Sequence, residues 1–194
     1  MKKIPTLFQR EYANNKVIKT VNIVTPGMEW VLNGEGVATV KYDGSCCAII
    51  DGKFYKRYDA KKGKKPPAGA IPCCDPDPVT GHWPHWVLVD ERKPEDKWFV
   101  EAYAHSAGYV NYEGDGTYEA VGPHFQGNPN GITFDLLVKH GKDIVEVDRT
   151  YDGIRKWLEE TEDVEGLVFW KDGEPQCKIK RRDFGFEWPV WRNV

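Results

Sequence analysis

The sequence predicts a chain in which short strands and loops outnumber helices. Its 194 residues include 19 glycines and 13 prolines, a share that favours turns and short strands over a helical bundle. Two β-prone runs are joined by Asp51-Gly52, a dipeptide that suits the type I′ turn of a β-hairpin. One segment, 152–162, has the apolar spacing of an amphipathic helix. We therefore expect many strands and few helices.

The first strands can be placed in chain order. An alternating run ends at Lys41, Asp43-Gly44 makes a turn, and the next strand begins at Cys46. Residues 59–94 are rich in Pro, Gly and Lys without a usable period, which indicates a long loop or cover segment. A second compact β region is expected over about 98–149.

The helix over 152–162 and the two strands after it complete the prediction. The apolar face of the helix consists of Ile154, Trp157 and Leu158. Asp152 can cap its start. A buried strand over 164–170 turns at Asp172-Gly173 into CKIKRRDF, whose Lys178 and Lys180 point to one face. Without a repeat or a second boundary, we predict a single domain over residues 1–194.

Composition and charge exclude several classes of protein. The net charge of −3 excludes a uniformly basic nucleic-acid coat but allows a local basic groove. No apolar run is long enough to span a membrane, and no signal peptide follows the basic start. The five cysteines lack zinc-site spacing and predict reduced, mostly buried thiols in a cytoplasmic protein. His82 and His85 have no third ligand nearby, so no metal is predicted there.

Five short motifs stand out because they occur together in one order. They are KYDGS (41–45), KRYD (56–59), YEAVG (118–122), VEGLVFW (164–170) and KIKRR (178–182). Each is weak alone, since turns, single strands and solvated faces produce the same letters. Their charged residues, however, fall at strand ends or on one strand face, which is the arrangement that a site needs.

Nucleoside triphosphate chemistry would use these residue types. A lysine amine attacks phosphorus only when it is unprotonated, and nearby cations and burial lower the pKa of a lysine. Lys178 and Lys180 can supply the positive charge and bind a triphosphate. The Arg57 fork can hold two oxygens. Glu165 can hold Mg²⁺, and Glu119 can accept a ribose hydroxyl.

Longer stretches carry a resemblance to a known family. They are TVKYDGSCC (39–47), KRYDAKKGKKPP (56–67), YEAVGPHFQGNP (118–129), LLVKHG (136–141), VEGLVFW and KIKRRDFGFEWP (178–189). Their order resembles the covalent nucleotidyltransferase superfamily of polynucleotide ligases and RNA capping enzymes. The chain is most similar to small single-domain ATP-dependent 5′-to-3′ RNA ligases. Residues 1–38 carry little of this resemblance.

The resemblance implies a fold, a domain organisation and a partner. The fold is an α+β nucleotidyltransferase (adenylyltransferase) fold, with two mainly antiparallel sheets and flanking helices. The single domain would fill residues 1–194 and leave no room for an appended oligonucleotide-binding-fold domain. RNA would then be held by this domain alone or with the help of a partner, and a homodimer stays open.

The resemblance also implies roles for the residues that would bind ATP. It assigns Lys41 as the nucleophile that takes up AMP. Arg57 resembles the arginine that contacts the nucleotide or the RNA 5′-phosphate, and Glu119 resembles the carboxylate on the ribose hydroxyls. Phe134 lies near the position of the adenine-stacking residue.

Other positions match the phosphate and metal end of the family's site. Glu165 matches the acidic residue at the catalytic metal, Mg²⁺ or Mn²⁺. Lys178 and Lys180 match the pair on the α-phosphate and the departing pyrophosphate. Asp43 matches the position behind the nucleophile and would orient Lys41 or a metal-bound water. His140 falls in a matching stretch without an assigned role.

Basic and aromatic residues suggest where RNA would bind. The candidates are Lys61, Lys62, Lys64 and Lys65 in one loop and Arg181 and Arg182 near the end of the chain. Trp residues in HWPHWV (82–87) and EWPVW (187–191) either stack on unpaired bases or pack as core or lid.

The implied activity is ATP-dependent RNA ligation through a lysyl-AMP intermediate and an adenylated RNA 5′ end. The product joins a 5′-phosphate to a 3′-hydroxyl, as RNA repair requires. Two alternatives remain at this point. One is another covalent nucleotidyltransferase, acting in RNA capping or in protein or DNA adenylylation, and the other is a catalytically idle nucleic-acid-binding domain.

Overall fold

The computed structural model describes residues 3–14, 16–107 and 114–190. The strands are β1 (Phe8–Ala13), β2 (Lys16–Val24), β3 (Val37–Lys41), β4 (Ser45–Ile50), β5 (Lys53–Ala60), β6 (Ile71–Pro72), β7 (Trp83–Leu88), β8 (Gly116–Val121), β9 (Leu136–Lys139), β10 (Ile144–Val145), β11 (Gly166–Lys171) and β12 (Glu174–Lys180). The helices are α1 (Lys97–Ala107) and α2 (Tyr151–Glu160), with short 3₁₀ helices at Glu29–Val31, Pro94–Asp96 and Arg181–Phe184. None of the helices in these ranges is long and apolar enough to cross a membrane.

The α+β class with mainly antiparallel sheets is confirmed. The chain divides into two compact units. As far as the structure describes them, the first holds Lys3 and residues 44–140, and the second holds residues 4–43 and 141–190. Each unit has its own sheet and its own apolar core.

The first unit is built on a six-stranded sheet with the order β6-β7-β5-β4-β8-β9. Strand residues alternate between the two faces of the sheet. On one face they form an apolar core, and α1 packs over this core. This core includes Cys47, Ile49, Phe54, Tyr118, Leu137 and, from α1, Ala102. The opposite face carries a smaller apolar cluster of Ala48, Tyr55 and Trp86. That second face also bears the polar residues described below.

The second unit contains a four-stranded sheet with the order β10-β3-β11-β12 and a β1-β2 hairpin. One face of the sheet packs against Ile154 and Leu158 of α2. The same face also packs against Leu7, just before β1, and Phe8, the first residue of β1. The sheet contributes Ala38, Leu167, Phe169, Cys177 and Ile179 to this core. The other face of the sheet is left for polar and charged side chains.

Two hairpin turns confirm the sequence prediction. Asp51 and Gly52 have φ angles of 50° and 69°, and Asp172 and Gly173 have φ angles of 54° and 78°. A type I′ turn needs positive φ at both central residues, and the Asp-Gly pair meets this need at low cost. The pairs set the registers of β4 on β5 and of β11 on β12.

The expected irregular segment over 59–94 is partly wrong, because it contains β6 and β7. Pro84 lies inside β7 and argues against a strand in isolation, since proline cannot donate to a ladder. Six paired residues of β5 nevertheless hold β7 in the sheet. His85 and Trp86 are buried there, so these rings pack as core. Trp188 is also buried, and Trp191 lies outside the described residues.

The expectation of a β region from residue 98 is wrong at its start, where α1 forms. The segment KWFVEAYAHSA contains aromatic and branched residues, which are common in strands. Their spacing, however, places Phe99, Ala102 and Tyr103 on one helical face against the sheet. The Tyr103 ring stacks on Phe54 with 5.0 Å between ring centroids. Burial of this face outweighs the local propensity.

The helix predicted over 152–162 is confirmed as α2, but its cap is Thr150 rather than Asp152. The Thr150 hydroxyl accepts a hydrogen bond from the Gly153 backbone N–H at 3.0 Å. Thr150 has the extended backbone of an N-cap residue, whereas Asp152 lies inside the first turn. Asp152 is well placed there for the helix dipole, which favours acidic residues in the first turn.

Candidate active site

Three lysines of the second unit share one face of its sheet. On opposite sides of β11, Gly166 pairs with Lys41 of β3 and with Lys180 of β12. Lys178 lies two residues before Lys180 and pairs with Val168 in the next row. Because directly opposite residues and residues two apart point to the same face, the three ammonium groups project together.

Gly166 is needed for this register. A Cβ atom at residue 166 would lie 2.1 Å from the Ile179 carbonyl oxygen and 2.8 Å from the Lys180 Cα. Both contacts are with backbone atoms, which cannot turn aside as a flexible side chain can. The glycine of the EG motif therefore allows β11 to pair closely with β12.

Glu165 lies at the centre of the lysine cluster. Its backbone N–H donates to the Lys41 carbonyl at 3.1 Å, which places the carboxyl group beside β3. The Lys41 ammonium donates to one carboxylate oxygen and the Lys180 ammonium to the other. Burial alone would raise the pKa of Glu165, but the two ammonium groups outweigh burial and lower it.

Lys178 completes the cluster with an altered amine. Burial is the largest cause that lowers the pKa of Lys178 to about 8, and the positive charges of Lys180 and Lys41 lower it further. Glu165 acts in the opposite direction. Three lysines thus face one carboxylate, an arrangement that favours a bound anion such as a phosphate group.

The N-terminal hairpin supports this cluster through a buried carboxylate, Asp183. Arg10 of β1 donates from Nε and Nη2 to one oxygen of Asp183 at 3.0 and 2.7 Å. The other oxygen accepts the Lys180 backbone N–H at 2.9 Å. The Thr20 hydroxyl of β2 donates to the Asp183 carbonyl at 3.0 Å. Part of the 1–38 segment, left without a role by the sequence, therefore holds the end of β12.

Asp43 and Tyr42 follow Lys41 and have partners within the same unit. One Asp43 oxygen accepts a hydrogen bond from the indole N–H of Trp188 at 2.8 Å. The Tyr42 hydroxyl donates to Asp143 at 2.8 Å. Burial first, and then the bond to Asp143, raise the pKa of Tyr42 well above its ordinary value. Tyr42 therefore stays a neutral donor.

A second polar cluster lies in the first unit, around Glu119 of β8. One Glu119 oxygen accepts the Gly44 backbone N–H at 3.1 Å, and the other is 2.9 Å from His140 Nε2. The second ring nitrogen of His140 is 3.0 Å from the Thr117 hydroxyl. The His140 backbone N–H also donates to the Thr117 carbonyl at 3.0 Å. The histidine left unassigned by the sequence is thus a direct partner of Glu119.

Arg57 shares a sheet face with this second cluster. Glu119 lies opposite Cys46 in the β4–β8 pairing, and the β4–β5 register brings Arg57 to the other side of Cys46. Burial raises the pKa of Cys46 to about 12, with a further increase from Glu119 and an opposing effect of Arg57. The thiol between the two charged residues is therefore neutral near pH 7.

Phe134 and the lysines predicted to bind RNA are exposed to solvent. Phe134 is exposed and makes an edge-to-face contact with His105, with 5.6 Å between ring centroids. The lysines Lys61, Lys62, Lys64 and Lys65 are all exposed.

The two arginines near the end of the chain differ from these lysines. Arg181 is buried, and its guanidinium donates to the carbonyls of Leu158, Thr161 and Glu187. Arg182 is exposed but donates to the Trp188 carbonyl at 3.1 and 2.5 Å. The Arg181 contacts join the end of α2 to the last 3₁₀ helix, which is a structural role.

The donor set fits a magnesium ion only in combination with phosphate. No group of three or more His, Cys, Asp or Glu side chains in the described ranges could hold a metal. Mg²⁺, however, commonly binds one or two carboxylates together with substrate phosphates and waters. Glu165 is a buried, ionised carboxylate beside a cluster that suits phosphate, so it meets this requirement.

Sequence reasoning missed Arg10, Asp183, Thr117 and the connection of His140. Asp183 follows the KIKRR motif, and a buried strand end close to several cations needs such a carboxylate. The role of Arg10 gave no signal, because it depends on pairing between residues far apart in the chain. His140 lies one residue after β9, so only the sheet register places it beside Glu119.

The chain is similar to a known protein at low identity. No family model matches the chain. The chain is 26% identical to a zebrafish (Danio rerio) protein named "RNA ligase 1", with 57% of this chain and 43% of the relative covered. The chain therefore spans less than half the length of that protein. The similarity is to an RNA ligase-related protein at low identity.

Proposed function

We propose that this protein is an ATP-dependent RNA ligase that joins 5′-phosphate and 3′-hydroxyl RNA ends through a lysyl-AMP intermediate. The observation that carries the proposal is the lysine cluster around Glu165. A lysine at a strand end, a buried ionised carboxylate and two further lysines on one sheet face are the groups that nucleotidyl transfer to an amine requires. The name of the distant relative supports the same class of reaction.

In the first step, Lys41 is the nucleophile. The lone pair of its Nζ atom attacks the α-phosphorus of ATP, the bond from that phosphorus to the bridging oxygen breaks, and pyrophosphate leaves. The Nζ atom loses its ammonium proton before the attack, because an ammonium has no lone pair, and it gives up a second proton as the P–N bond forms. Lys178 and Lys180 neutralise the charge on the phosphates, and fixed charges of this kind provide much of the catalysis in phosphoryl transfer.

Glu165 has two proposed roles, one before the nucleotide binds and one when it is bound. It holds Lys41 and Lys180 before the nucleotide arrives, which orients the amine. With bound phosphates it is also the carboxylate that would hold Mg²⁺ or Mn²⁺, with Asp43 as a second candidate through water. When bound, the metal supplies further charge neutralisation at the phosphates.

Three residues of the first unit are given roles in the proposed function. Glu119 would accept the ribose hydroxyls, Arg57 would contact the nucleotide or the RNA 5′-phosphate, and Phe134 would stack on adenine. Each assignment follows from the resemblance of its motif. The polar face that bears Glu119 and Arg57 has the hydrogen-bonding capacity that these roles need.

Two further steps complete the reaction. An oxygen of the RNA 5′-phosphate attacks the phosphorus of lysyl-AMP, the P–N bond breaks, and the lysine amine takes up a proton. The 3′-hydroxyl oxygen then attacks the RNA 5′-phosphorus, its proton is lost, and AMP leaves. The exposed lysines at 61, 62, 64 and 65 are proposed to bind the RNA backbone. Arg181 is left out of this surface, because its guanidinium is buried on backbone carbonyls.

The test is covalent labelling. The protein is incubated with α-labelled ATP and Mg²⁺ and run on a denaturing gel, beside Lys41→Ala, Lys41→Arg and Lys171→Ala. The arginine variant keeps the positive charge next to Glu165 but removes the nucleophilic amine. Lys171 is a matched control, since it pairs with the carboxylate of Glu35 at 2.6 Å on an exposed surface. We expect label in the wild type and in Lys171→Ala and none in the two Lys41 variants.

Other outcomes select among the alternatives. Label that persists in both Lys41 variants would rule out Lys41 as the nucleophile. Label from GTP but not from ATP would favour capping. Label from ATP followed by joining of 5′-phosphorylated DNA but not RNA would overturn the RNA assignment. Absence of label with either nucleotide would favour the catalytically idle domain.

A further inference from the structure

We infer that His140 and Thr117 are positioning residues that give the nucleotide site its preference for a ribose diol over a deoxyribose. The inference rests on the proposed function, because it takes Glu119 as the acceptor of the ribose hydroxyls. It adds two residues to which no role was assigned. The hydrogen bonds that support it all lie within the first unit.

The Glu119 carboxylate is held from both sides. A carboxylate presents about four lone-pair directions, two on each oxygen. Gly44 N–H occupies one direction on the first oxygen at 3.1 Å, and His140 Nε2 occupies one on the second at 2.9 Å. Counting only these donors, each oxygen keeps one direction for a ligand. Two acceptor positions side by side match two neighbouring hydroxyl groups.

The hydrogen bonds of His140 determine which way its ring donates. An ionised carboxylate can only accept, so Nε2 must carry the hydrogen that points to Glu119. The other ring nitrogen, Nδ1, is 3.0 Å from the Thr117 hydroxyl, a group that can donate a hydrogen bond to this nitrogen or accept one from it. The backbone bond from His140 to the Thr117 carbonyl fixes the same pair a second time. Thr117 therefore selects the ring orientation that presents a donor to Glu119.

The surroundings keep the carboxylate available for a ligand. Glu119 and His140 are both largely but not fully covered, with side chains 14% and 19% exposed. The neighbouring Cys46 is a neutral thiol, because burial raises its pKa to about 12. It adds no negative charge and is only a weak donor in competition with a hydroxyl. A nucleotide without the 2′-hydroxyl would leave one of the two acceptor positions unpaired.

The experiment compares binding of ATP and 2′-deoxy-ATP without chemistry. Equilibrium dissociation constants are measured by calorimetry in the Lys41→Arg protein, alone and combined with His140→Ala, His140→Gln, Thr117→Val or His82→Gln. Glutamine can place its amide nitrogen near the position of Nε2 and so restores a donor. His82 is a matched control, since it also pairs with a carboxylate, Asp59 at 3.1 Å, on the surface of the same unit.

The expected pattern is specific to positioning. Loss of one hydrogen bond to a charged group corresponds to about tenfold or more in affinity, so the parent protein should prefer ATP by at least that factor. His140→Ala should bring this ratio close to one, Thr117→Val should reduce it, and His140→Gln should restore most of it. His82→Gln should leave the ratio unchanged.

Failure of this inference is distinguishable from failure of the proposed function. Equal weakening of both nucleotides by His140→Ala, or a parent protein that binds them equally, would overturn the inference while covalent labelling still stands. The expected ratios without covalent label in the wild type would support the inference and reject the ligase mechanism. If neither nucleotide binds and no label forms, both fail.

Discussion

Glu165 in the second unit and Glu119 in the first are each held by two groups, and these groups differ in kind. In the second unit, Glu165 accepts from the ammonium groups of Lys41 and Lys180. In the first unit, Glu119 accepts from the backbone N–H of Gly44 and from the ring of His140. The three lysines around Glu165 favour a bound anion, whereas the Gly44 and His140 contacts each engage one oxygen of Glu119. The same residue type is thus held by different donors in the two units, which is the basis of the different roles proposed for Glu165 and Glu119.

Removing the charge from Glu165 should have the largest effect on activity. Glu165→Gln leaves two ammonium groups without their shared carboxylate, and its amide has a donor where an acceptor is needed. The rate of covalent labelling with ATP should fall by about 10²–10³, the range for loss of one positioned electrostatic partner. Glu35→Gln is the matched control, because Glu35 pairs with Lys171 on the surface. A Glu165→Gln rate within a factor of two of the wild type would contradict the assignment.

The lowered pKa of Lys178 predicts a rise of stability with pH. The folded protein loses the proton near pH 8, whereas the unfolded chain keeps it until about its ordinary pKa of 10.5. Between these values the unfolded state binds more protons, so the free energy of unfolding rises with pH. The contribution of this group is on the order of 3 kcal/mol across the window. It should be absent in Lys178→Met.

The measurement is denaturant unfolding at a series of pH values for the wild type, Lys178→Met and the exposed control Lys171→Met. Other groups titrate in the same window, so the quantity to compare is the difference between wild type and variant. If the difference in free energy of unfolding between the wild type and Lys178→Met does not change with pH, Lys178 is not the source of the predicted rise in stability.

Neutralising Glu119 should have a smaller effect than neutralising Glu165, because its donors include no lysine. Glu119→Gln places an amide nitrogen against either Gly44 N–H or His140. The apparent affinity for ATP should weaken by about tenfold, the equivalent of one hydrogen bond to a charged group. The labelling rate at saturating ATP should change less. A larger loss of the saturating rate than in Glu165→Gln would reverse the proposed division between the clusters.

The support of the lysine cluster by the N-terminal hairpin should give the smallest effect. Arg10→Ala removes the cation that faces Asp183, and Asp183 then holds the Lys180 backbone less firmly. The pair is partly exposed, so a loss of about 1 kcal/mol, or roughly fivefold in labelling rate, is expected. Arg10→Lys keeps the positive charge but loses the contact through two nitrogen atoms. Its labelling rate should lie between those of the wild type and Arg10→Ala. No change in either variant would indicate that the hairpin acts only as a scaffold.

Much of the second unit could be predicted from sequence because its determinants are local. The Asp172-Gly173 turn and the alternation of β12 place Lys178 and Lys180 on one face before any tertiary contact is known. The helical spacing of Ile154 and Leu158 predicts helix α2. The grouping of Lys41 with these lysines needed the family resemblance, because β3 and β11 are far apart in the chain.

The first unit was harder to predict because its elements depend on tertiary pairing. Strand β7 contains Pro84 and is held by β5, and α1 has strand-forming residues on a helical period. His140 could not be joined to Glu119 from spacing alone, since a shift of one residue in β8 or β9 would turn either side chain to the other face. The register between strands that are far apart in the chain could not be read from the sequence.

The short segment before β1 has a consequence for association between molecules. β12 is the outer strand of its sheet, and the backbone N–H and carbonyl of Lys178 are taken by Pro5 and Leu7. An unprotected outer strand is a template for pairing with another chain. A shortened form that begins at Phe8 would uncover these groups and present a β edge to its neighbours. Pro5 and Leu7 therefore occupy backbone groups of an outer strand that would otherwise be open to pairing with another molecule.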